Sequence, residues 1–431
     1  MTNHLRSTIR QHKAGESVGV FSVCSAHPMV LEAALRQAAG DDTYVLIEAT
    51  SNQVDQFGGY TGMRPADFRD FVFGIADGLA FDRDRIVLGG DHLGPNRWQQ
   101  IDPIQAMDNA EELVRAYVHA GYSKIHLDCS MRLQGDATVL TDELVAGRTA
   151  RLLAAAEEEA DGASEVLYVI GTEVPVPGGA HETLGDLLAT PPADARETIA
   201  SHRAAFAAAG LSSVWPRIIA IVVQPAVEFD HLKVVDYRRE LTTELRHVID
   251  SESELVFEAH STDYQTATNL ARLVEDDWAI LKVGPGLTFA LREALFALAA
   301  IEDELVDAGE RSQLVAVIET VMLDRPGYWE GYYEGSESEK RIARRFSYSD
   351  RMRYYWPDET IVAAEKVLHA NLAASDIPLP LISQYLPVQY ERVRDGLLEP
   401  TAHELVIDRI RDVLRPYAFA CSGERRRYPS L

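Results

Sequence analysis

Short apolar runs alternate with helical segments over the first two thirds of the chain. The runs are rich in Val and Ile and end at turn residues, which is the pattern of buried strands. Between them, apolar residues recur every three or four positions, as on the buried face of a helix. The predicted strands cover residues 17–24, 43–49, 85–91, 123–130, 165–175, 217–225, 254–261 and 278–285.

This alternation predicts an α/β fold with a parallel sheet, because a helix joins each strand to the next. About eight strand–helix units in roughly 300 residues favour a closed (β/α)₈ TIM barrel. An open sheet with six or seven true strands is the alternative.

The pattern changes after residue 305, where helical segments dominate and no ninth strand is evident. We expect residues 1–305 to form the barrel and residues 306–431 to form a helical region packed on it. An aromatic and basic stretch, residues 328–357, lies among these helical segments. It is a candidate cover for the barrel mouth, and the sequence leaves open whether it moves as a lid.

Polar side chains gather where the predicted strands end. A packed parallel strand has no use for a carboxylate or an imidazole, because burying either group without a partner is costly. Active groups of barrels project from these strand ends, so the sequence predicts a polar site at the barrel mouth. The residues concerned are Ser25, His27, Glu48, Asn52, Gln53, Asp91, His92, His126, Asp128, Thr172, Glu173, Gln224, Glu258, His260, Ser261, Thr262 and Lys282.

Two of the histidines are candidate metal ligands. His92 and His260 come from separate strands that face the same mouth. With a carboxylate such as Asp128 or Glu173 they form a nitrogen and oxygen set suited to a divalent metal. The alternative for each histidine is a hydrogen-bonded core residue or a substrate contact. No compact HExxH spacing is present, so this prediction depends on the barrel.

A Gly-rich turn, VGPGLT at residues 283–288, leads into the helix after the eighth strand. In barrels this position commonly binds a phosphate on backbone N–H groups, so Gly284, Gly286 and Thr288 are candidate phosphate contacts. An ordinary tight turn is the alternative. Neither GxxxxGK[ST] nor GxGxxG occurs, which argues against an NTPase or a Rossmann protein.

The segment SYSDRMRYYW, residues 347–356, offers Arg351 or Arg353 to a phosphate or to a protein partner. The alternative is a solvated charged face that packs through its aromatic side chains.

Charge and cysteine content limit the partners. The 431 residues carry 67 acidic and 41 basic side chains, a formal net charge of −26, which disfavours nucleic acid. The three cysteines are far apart and show no CxxC spacing, so we expect a reducing compartment. Neither a signal peptide nor a membrane span is evident, so we expect a cytoplasmic protein without a membrane partner.

Long and specific motifs coincide with the strand ends and extend into the helical region. They are SVCSAHP (22–28), IEATSNQVDQFGGYTGM (47–63), GGDHLGPN (89–96), IHLD (125–128), GTEVPVPGG (171–179), VVQPAVEFDH (222–231), EAHSTDYQT (258–266), LKVGPGLTFALREALFAL (281–298), SDRMRYYWP (349–357) and PLISQYLPVQ (380–389). These motifs closely resemble the accessory, non-catalytic subunit family of class II D-tagatose-1,6-bisphosphate aldolase, and the resemblance covers nearly the whole chain.

The resemblance implies a role in carbohydrate metabolism. Some relatives are metal-dependent C4 epimerases that interconvert tagatose 6-phosphate and fructose 6-phosphate. Members have also been labelled tagatose 6-phosphate kinase, for which the sequence offers no nucleotide-binding motif. A more distant likeness to catalytic class II aldolases matches Asp91 and His92 to their Asp-His pair and His260 to a later metal ligand. Gln224 replaces another metal-binding histidine, which leaves room for a mixed site that binds Zn²⁺, Mg²⁺, Mn²⁺ or Ni²⁺.

Two hypotheses follow from the resemblance. In the first, the chain is a 4-epimerase that acts by retro-aldol cleavage. Asp91 or Glu173 is its acid and base, Lys282 is a further catalytic group, and a phosphorylated ketose is its substrate. The metal ligands would be His92, His260, Asp128 and Gln224, and the substrate contacts Asn52, Gln53, Ser261, Thr262, Gly284, Gly286, Thr288 and Arg351.

In the second hypothesis, the chain is a non-catalytic partner that stabilises and activates a class II aldolase catalytic subunit. The motifs do not decide between the two. They also leave open whether the substrate bears one phosphate or two, and whether the chain forms a homo-oligomer.

Overall fold

Eight parallel strands close into a barrel in the computed structural model, which describes residues 4–160, 165–172, 187–374 and 376–423. This confirms the TIM-barrel prediction, and the open sheet is wrong. The barrel strands are β1 (Val20–Val23), β2 (Val45–Thr50), β3 (Ile86–Leu93), β4 (Lys124–Leu127), β5 (Leu167–Ile170), β6 (Ile218–Val222), β9 (Val256–Ala259) and β10 (Ile280–Val283). The strands follow one another around the ring in chain order, and β10 pairs with β1 to close it.

A short antiparallel ribbon, which the sequence did not predict, interrupts this order. It consists of β7 (Glu228–Phe229) and β8 (Val234–Val235) in the loop after β6. The ribbon lies on the mouth side of the barrel, because loops that follow barrel strands emerge there.

Helices alternate with the barrel strands and then form the C-terminal region. Those of the barrel part are α1 (His4–Lys13), α2 (Pro28–Gly40), α3 (Pro65–Gly78), α4 (Pro103–His119), α5 (Asp142–Glu159), α6 (Pro192–Ala208), α7 (Thr243–Arg246), α8 (Ala267–Glu275) and α9 (Pro285–Leu305). The rest are α10 (Leu314–Asp324), α11 (Glu337–Phe346), α12 (Glu359–Ala373), α13 (Leu379–Tyr385), α14 (Pro387–Arg394) and α15 (Ala402–Cys421). None of the described helices is long and apolar enough to cross a membrane.

Local sequence signals explain where several helices begin. Asp102 caps α4 by accepting hydrogen bonds from the backbone N–H groups of Ile104 and Gln105, and Pro103 occupies the first helical position. Thr141 and Thr266 cap α5 and α8 in the same way. Such caps stabilise a helix by about 1 kcal/mol each, and proline suits the first turn because it needs no N–H partner there.

The barrel interior is apolar at its amino-terminal end. Alternate residues of the strands point inward and form one buried cluster that includes Leu46, Val87 and Val256. Helix α1 adds Leu5 and Ile9 to this cluster, and both are fully buried. Thus α1, which the sequence did not predict, closes the bottom of the barrel.

The C-terminal region packs on the barrel. Helix α15 lies against α2, α8 and α9, and its buried Tyr417 donates a hydrogen bond to the carbonyl of Thr262, 2.8 Å away, beyond β9. Helix α9 ends at Leu305, where the sequence placed the end of the barrel part. The division into two units at this point stays a prediction.

Candidate metal centre at the barrel mouth

A layer of buried charges lies above the apolar floor. The Lys124 ammonium lies 2.5 Å from Glu48 Oε1 and 2.7 Å from Glu258 Oε2, and all three side chains are fully buried. Lys282 contacts Glu48 as well and lies 2.9 Å from Asp91 Oδ1. A bulkier residue at position 89 would collide with Glu48, because a Cβ on Gly89 would lie 2.7 Å from that side chain.

Three imidazole rings meet above this charged layer. The ring centroids of His92, His126 and His260 lie 4.8–5.2 Å apart. One potential ligand atom from each ring and one oxygen of Asp91 all lie within 4.8 Å of one another. His126 Nδ1 lies 3.0 Å from Asp91 Oδ1, whereas its buried Nε2 has no hydrogen-bond partner within the part of the chain that the structure describes. These four residues are referred to below as the histidine cluster.

Carboxylates fix the orientation of two of the rings. Asp128 Oδ2 lies 2.7 Å from His92 Nδ1, and the other oxygen accepts hydrogen bonds from the N–H and hydroxyl groups of Ser130. Glu258 Oε1 lies 3.0 Å from His260 Nε2. Metal-binding histidines commonly hold a carboxylate on their second nitrogen in this way. The structure therefore places Asp128 behind His92, not among the candidate ligand atoms where the sequence put it.

The cluster also shifts the pKa values of its members. Burial alone would raise the pKa of Asp91, but the His92 and His126 imidazoles outweigh it and hold that pKa below its usual range. Burial would lower the pKa of His92, but Asp91 and Asp128 outweigh it and raise that pKa. Burial lowers the pKa of His260. The site therefore favours ionised carboxylates beside imidazoles.

The charge balance fits a divalent cation. Among the described residues, four buried carboxylates (Glu48, Asp91, Asp128 and Glu258) face two buried ammonium groups, Lys124 and Lys282, so this layer carries two excess negative charges when the imidazoles are neutral. A buried excess charge is costly unless it is paired or binds a metal. Together with the unpartnered Nε2 of His126, this imbalance shows that the residues present suit a divalent metal.

Backbone conformation at two strand ends is unusual. His92 and Ser261 adopt φ values of 50° and 54°, in the left-handed region that side chains with a Cβ disfavour. Such strain costs roughly 1–3 kcal/mol and clusters at functional sites. A Cβ on the nearby Gly94 would lie 1.7 Å from the Asp128 carbonyl oxygen, so only glycine allows this close approach of β3 to β4.

The cluster opens into a pocket at the barrel mouth. Its lining includes three of the predicted substrate contacts, Asn52, Gln53 and Ser261. The Gln53 side chain is already engaged, because Nε2 donates to the Cys24 carbonyl and Oε1 accepts from the Thr50 N–H group. The full lining is Cys24, Thr50, Asn52, Gln53, Tyr60, Asp91, His92, Phe229, His260, Ser261, Asp263, Lys282, Val283, Gly284, Pro285, Arg353 and Tyr354.

The Gly-rich turn does not offer the donors that the sequence assigned to a phosphate. The N–H groups of Gly284 and Gly286 donate to Asp263 Oδ1, at 2.9 and 2.7 Å. The Thr288 hydroxyl donates to Asp350 Oδ2, 2.6 Å away. The positive end of α9 thus binds a carboxylate of the chain itself, and burial raises the pKa of that Asp263 carboxyl to about 6.

The two arginines of the segment 347–356 point to different places. Arg351, the predicted phosphate contact, donates to the Tyr328 carbonyl, lies over the Tyr332 ring and does not line the pocket. Arg353 does line it, although the two residues share one short turn. The structure therefore brings Arg353, and not Arg351, to the wall of this pocket.

Three further predicted residues lie away from the histidine cluster or outside the described residues. Gln224 accepts a hydrogen bond from the Val227 N–H group through Oε1, so it organises its own loop and is absent from the cluster. The Thr262 hydroxyl donates to the Lys282 carbonyl within the strand packing. Glu173 lies outside the described residues.

His126 joins the cluster in place of Asp128 and Gln224. The signal for it was the alternation in β4, where Lys124 and His126 both face the barrel interior. Inward-facing charged residues on a buried strand indicate a site rather than packing.

Comparison with known proteins gives a consistent family. A family model described as D-tagatose-1,6-bisphosphate aldolase subunit GatZ/KbaZ-like matches residues 5–422. The chain is 47% identical to a solved protein from Sinorhizobium meliloti 1021 described as a probable tagatose 6 phosphate kinase, with a TM-score of 0.87, over 94% of this chain and 100% of that one.

Two aldolases show much weaker likenesses. They are a fructose-bisphosphate aldolase from Campylobacter jejuni (14% identity, TM-score 0.44, 86% of this chain and 93% of that one) and the YdjI aldolase from Escherichia coli K12 (9% identity, TM-score 0.42, 86% and 98%). The fold assignment therefore rests on the strand order of the barrel itself.

Proposed function

Because the chain belongs to the D-tagatose-1,6-bisphosphate aldolase subunit GatZ/KbaZ-like family, we propose that it is a metal-dependent C4 epimerase that interconverts D-tagatose 6-phosphate and D-fructose 6-phosphate. The observation that carries this proposal is the histidine cluster at the edge of a pocket. Among the described residues it combines an imidazole nitrogen that has no hydrogen-bond partner with an excess of buried carboxylates over ammonium groups.

His92, His126 and His260 would hold the metal, with Asp91 beside them. The metal would act as a Lewis acid that polarises the ketose oxygens. Asp128 and Glu258 keep two of these rings in place through their second nitrogens, which is a positioning role.

Asp91 acts as the base. It takes the proton of the C4 hydroxyl, and the C3–C4 bond breaks. The electron pair of that bond moves toward the C2 carbonyl oxygen, which leaves a three-carbon enediolate and an aldehyde. The aldehyde turns its other face toward C3, the C3–C4 bond forms again, and Asp91 returns the proton to the C4 oxygen. Such positioned proton transfer contributes roughly 10²–10⁴-fold. No atom is gained or lost, and only the configuration at C4 changes.

Lys282 supports this step through its charge. Its ammonium lies 2.9 Å from Asp91 Oδ1 and lines the pocket, where it opposes the negative charge that develops on the substrate. Burial lowers the pKa of Lys282 to about 8, so the group is mostly protonated at neutral pH.

Arg353 supplies the anchor for the 6-phosphate. It lines the pocket, and its hydrogen-bond partners among the described residues are neutral: the Ser349 and Asp350 carbonyls and the Tyr354 hydroxyl. A guanidinium binds phosphate through two parallel N–H groups, and holding the remote end of a substrate helps to fix the reacting end.

A kinase activity is not part of this proposal, although the Sinorhizobium meliloti protein carries that description. The sequence contains no GxxxxGK[ST] motif. In the Gly-rich turn, the N–H groups of Gly284 and Gly286 already donate hydrogen bonds to Asp263.

The test is turnover by the purified chain alone. After chelation and addition of Mg²⁺, Mn²⁺, Ni²⁺ or Zn²⁺, it should form D-fructose 6-phosphate from D-tagatose 6-phosphate. In D₂O the product should carry no deuterium at C4, because retro-aldol cleavage leaves the C4–H bond intact. Absence of turnover with every metal, or deuterium at C4, contradicts the proposal.

The family description favours a second candidate, a subunit that stabilises and activates a separate class II aldolase. In that case the chain alone is inactive, and its addition raises the activity and thermal stability of a co-expressed class II aldolase catalytic subunit. Replacing His92 with Ala separates the two candidates, because it should abolish epimerisation but leave such stimulation unchanged.

A further inference from the structure

The amino-terminal end of α9 is built around a carboxylate. Two backbone N–H groups, from Gly284 and Gly286, donate to the same oxygen of Asp263, which is 2% exposed. A Cβ on Gly286 would lie 3.0 Å from that oxygen, so this glycine leaves just enough room for it. Asp263 belongs to the loop after β9, and its carboxylate holds that loop to the turn after β10.

This is the place where barrels frequently bind a substrate phosphate, between the loops after the last two strands and a helix N-terminus. A phosphate there would have to displace Asp263 or lie against it, and two anions repel at such range. A carboxylate accepts hydrogen bonds and has none to donate, so a sugar hydroxyl suits it and an ionised phosphate does not.

Arg353 lines the same pocket and carries the opposite charge. Among the described residues, no carboxylate lies within ion-pair distance of this guanidinium, whereas Lys282 is paired with Glu48 and Asp91. A partly buried guanidinium whose hydrogen-bond partners among the described residues are all neutral favours an anionic ligand. The same pocket therefore contains one group that favours a phosphate, Arg353, and one that disfavours it, Asp263.

We propose that Asp263 is a specificity-determining residue that restricts the pocket to ketoses bearing a single phosphate. The phosphate binds at Arg353, and the uncharged hydroxymethyl end of the sugar donates a hydrogen bond to Asp263. A second phosphate at that end is excluded. This inference rests on the proposed function for the identity of the sugar, but the charge arrangement it uses is independent of catalysis.

Binding of unreactive sugar alcohols tests it. D-mannitol monophosphate and D-mannitol 1,6-bisphosphate have no carbonyl group and cannot be cleaved, and they differ by one phosphate. Isothermal titration of the full chain should give a dissociation constant at least tenfold lower for the monophosphate. In Asp263→Ala, which empties the turn, the bisphosphate should bind at least tenfold more tightly than in wild type, with less than threefold change for the monophosphate.

Two further variants keep the test decisive. Asp263→Asn keeps the acceptor oxygen but removes the charge, so the preference for the monophosphate over the bisphosphate should shrink without vanishing. If Asp263→Ala does not fold, Asp263→Asn provides the test. Asp230→Asn is the matched control, because buried Asp230 also accepts from two backbone N–H groups, those of Leu232 and Lys233, and does not line the pocket. Its preference should equal that of wild type.

Arg353→Gln should weaken monophosphate binding at least tenfold and leave unphosphorylated D-mannitol unaffected. Equal binding of the monophosphate and the bisphosphate by wild type, or an unchanged ratio in both folded Asp263 variants, overturns the inference, as does failure of the monophosphate to bind. Because the ligands do not react, a chain that lacks epimerase activity but shows this preference refutes only the proposed function.

Discussion

The two ends of the barrel share the same eight strands and differ in almost every other respect. At the amino-terminal end, Val87 and Val256 pack with Ile9 of α1 in an apolar floor. Two to four residues further along the same strands, about 7–13 Å, Glu258 and Asp91 enter a layer of buried charge. One end is built for packing, and the other holds groups that packing alone would not select.

The two ends of the barrel serve different purposes, one stability and the other ligand binding. Buried ion pairs contribute little net stability, because desolvation offsets their attraction. The apolar floor and the shell of helices therefore stabilise the barrel, while the charged layer and the histidine cluster are explained by what they bind. Substitutions at the two ends should then have opposite signatures.

The largest expected effect comes from the mouth. His92→Ala and His260→Ala should each lower kcat/KM for D-tagatose 6-phosphate by more than the roughly 100-fold typical of losing a residue behind a metal ligand. The thermal unfolding midpoint should change little. His247→Ala, at an exposed histidine after α7, is the matched control. Near-normal turnover in both cluster variants would remove these residues as ligands.

The next largest effect is expected where the two ends meet. Lys124→Met leaves Glu48 and Glu258 without their shared partner, and breaking a buried pair in this way destabilises by about 3–5 kcal/mol. Urea unfolding measures the change. Lys340→Met, which removes a long surface pair with Glu337, should cost less than about 1 kcal/mol. Equal effects of the two changes would contradict a buried charge layer.

At the floor, Ile9→Ala should lower the free energy of unfolding by about 2–5 kcal/mol, because it leaves a cavity at the bottom of the barrel. The value of kcat should stay near normal in the folded protein. Gln11→Ala, at an exposed position of α1, controls for helix propensity. A loss of turnover without a loss of stability would show that the two ends are coupled.

The smallest effect concerns pH. Burial raises the pKa of Glu228, on the ribbon near the mouth, to about 7. Between pH 4.5 and 7 the folded protein then holds a proton that the unfolded chain releases, so stability falls as pH rises through this window. Glu228→Gln lacks this loss. The free energy of unfolding of the variant, minus that of wild type, should therefore be about 2 kcal/mol higher at pH 8 than at pH 5. An unchanged difference between pH 5 and 8 would contradict the shift.

Periodicity was enough to predict the barrel, because eight buried strands and their crossovers leave long regular signals. It missed α1, whose sequence HLRSTIRQHK is mostly polar. The apolar side of that helix consists of Leu5 and Ile9, four residues apart, and both face the barrel floor. Two apolar side chains are too few to predict a helix from periodicity, and their role is clear only once the barrel floor that buries them is known.

The sequence was enough to predict that the site lies at the strand ends, but it did not predict which side chains contact one another there. Asp263 reaches Gly284 and Gly286 across more than twenty residues, and no local pattern announces that contact. Arg351 and Arg353 lie two residues apart on a tight turn, so sequence alone could not tell which one lines the pocket.

Anomalous diffraction from crystals soaked in Mn²⁺ locates a metal bound at the histidine cluster without relying on activity. We expect one strong peak per chain, bounded by Asp91, His92, His126 and His260, and its loss in His92→Ala crystals. A strong peak elsewhere with none at these four residues, or a peak that persists in the variant, would contradict it.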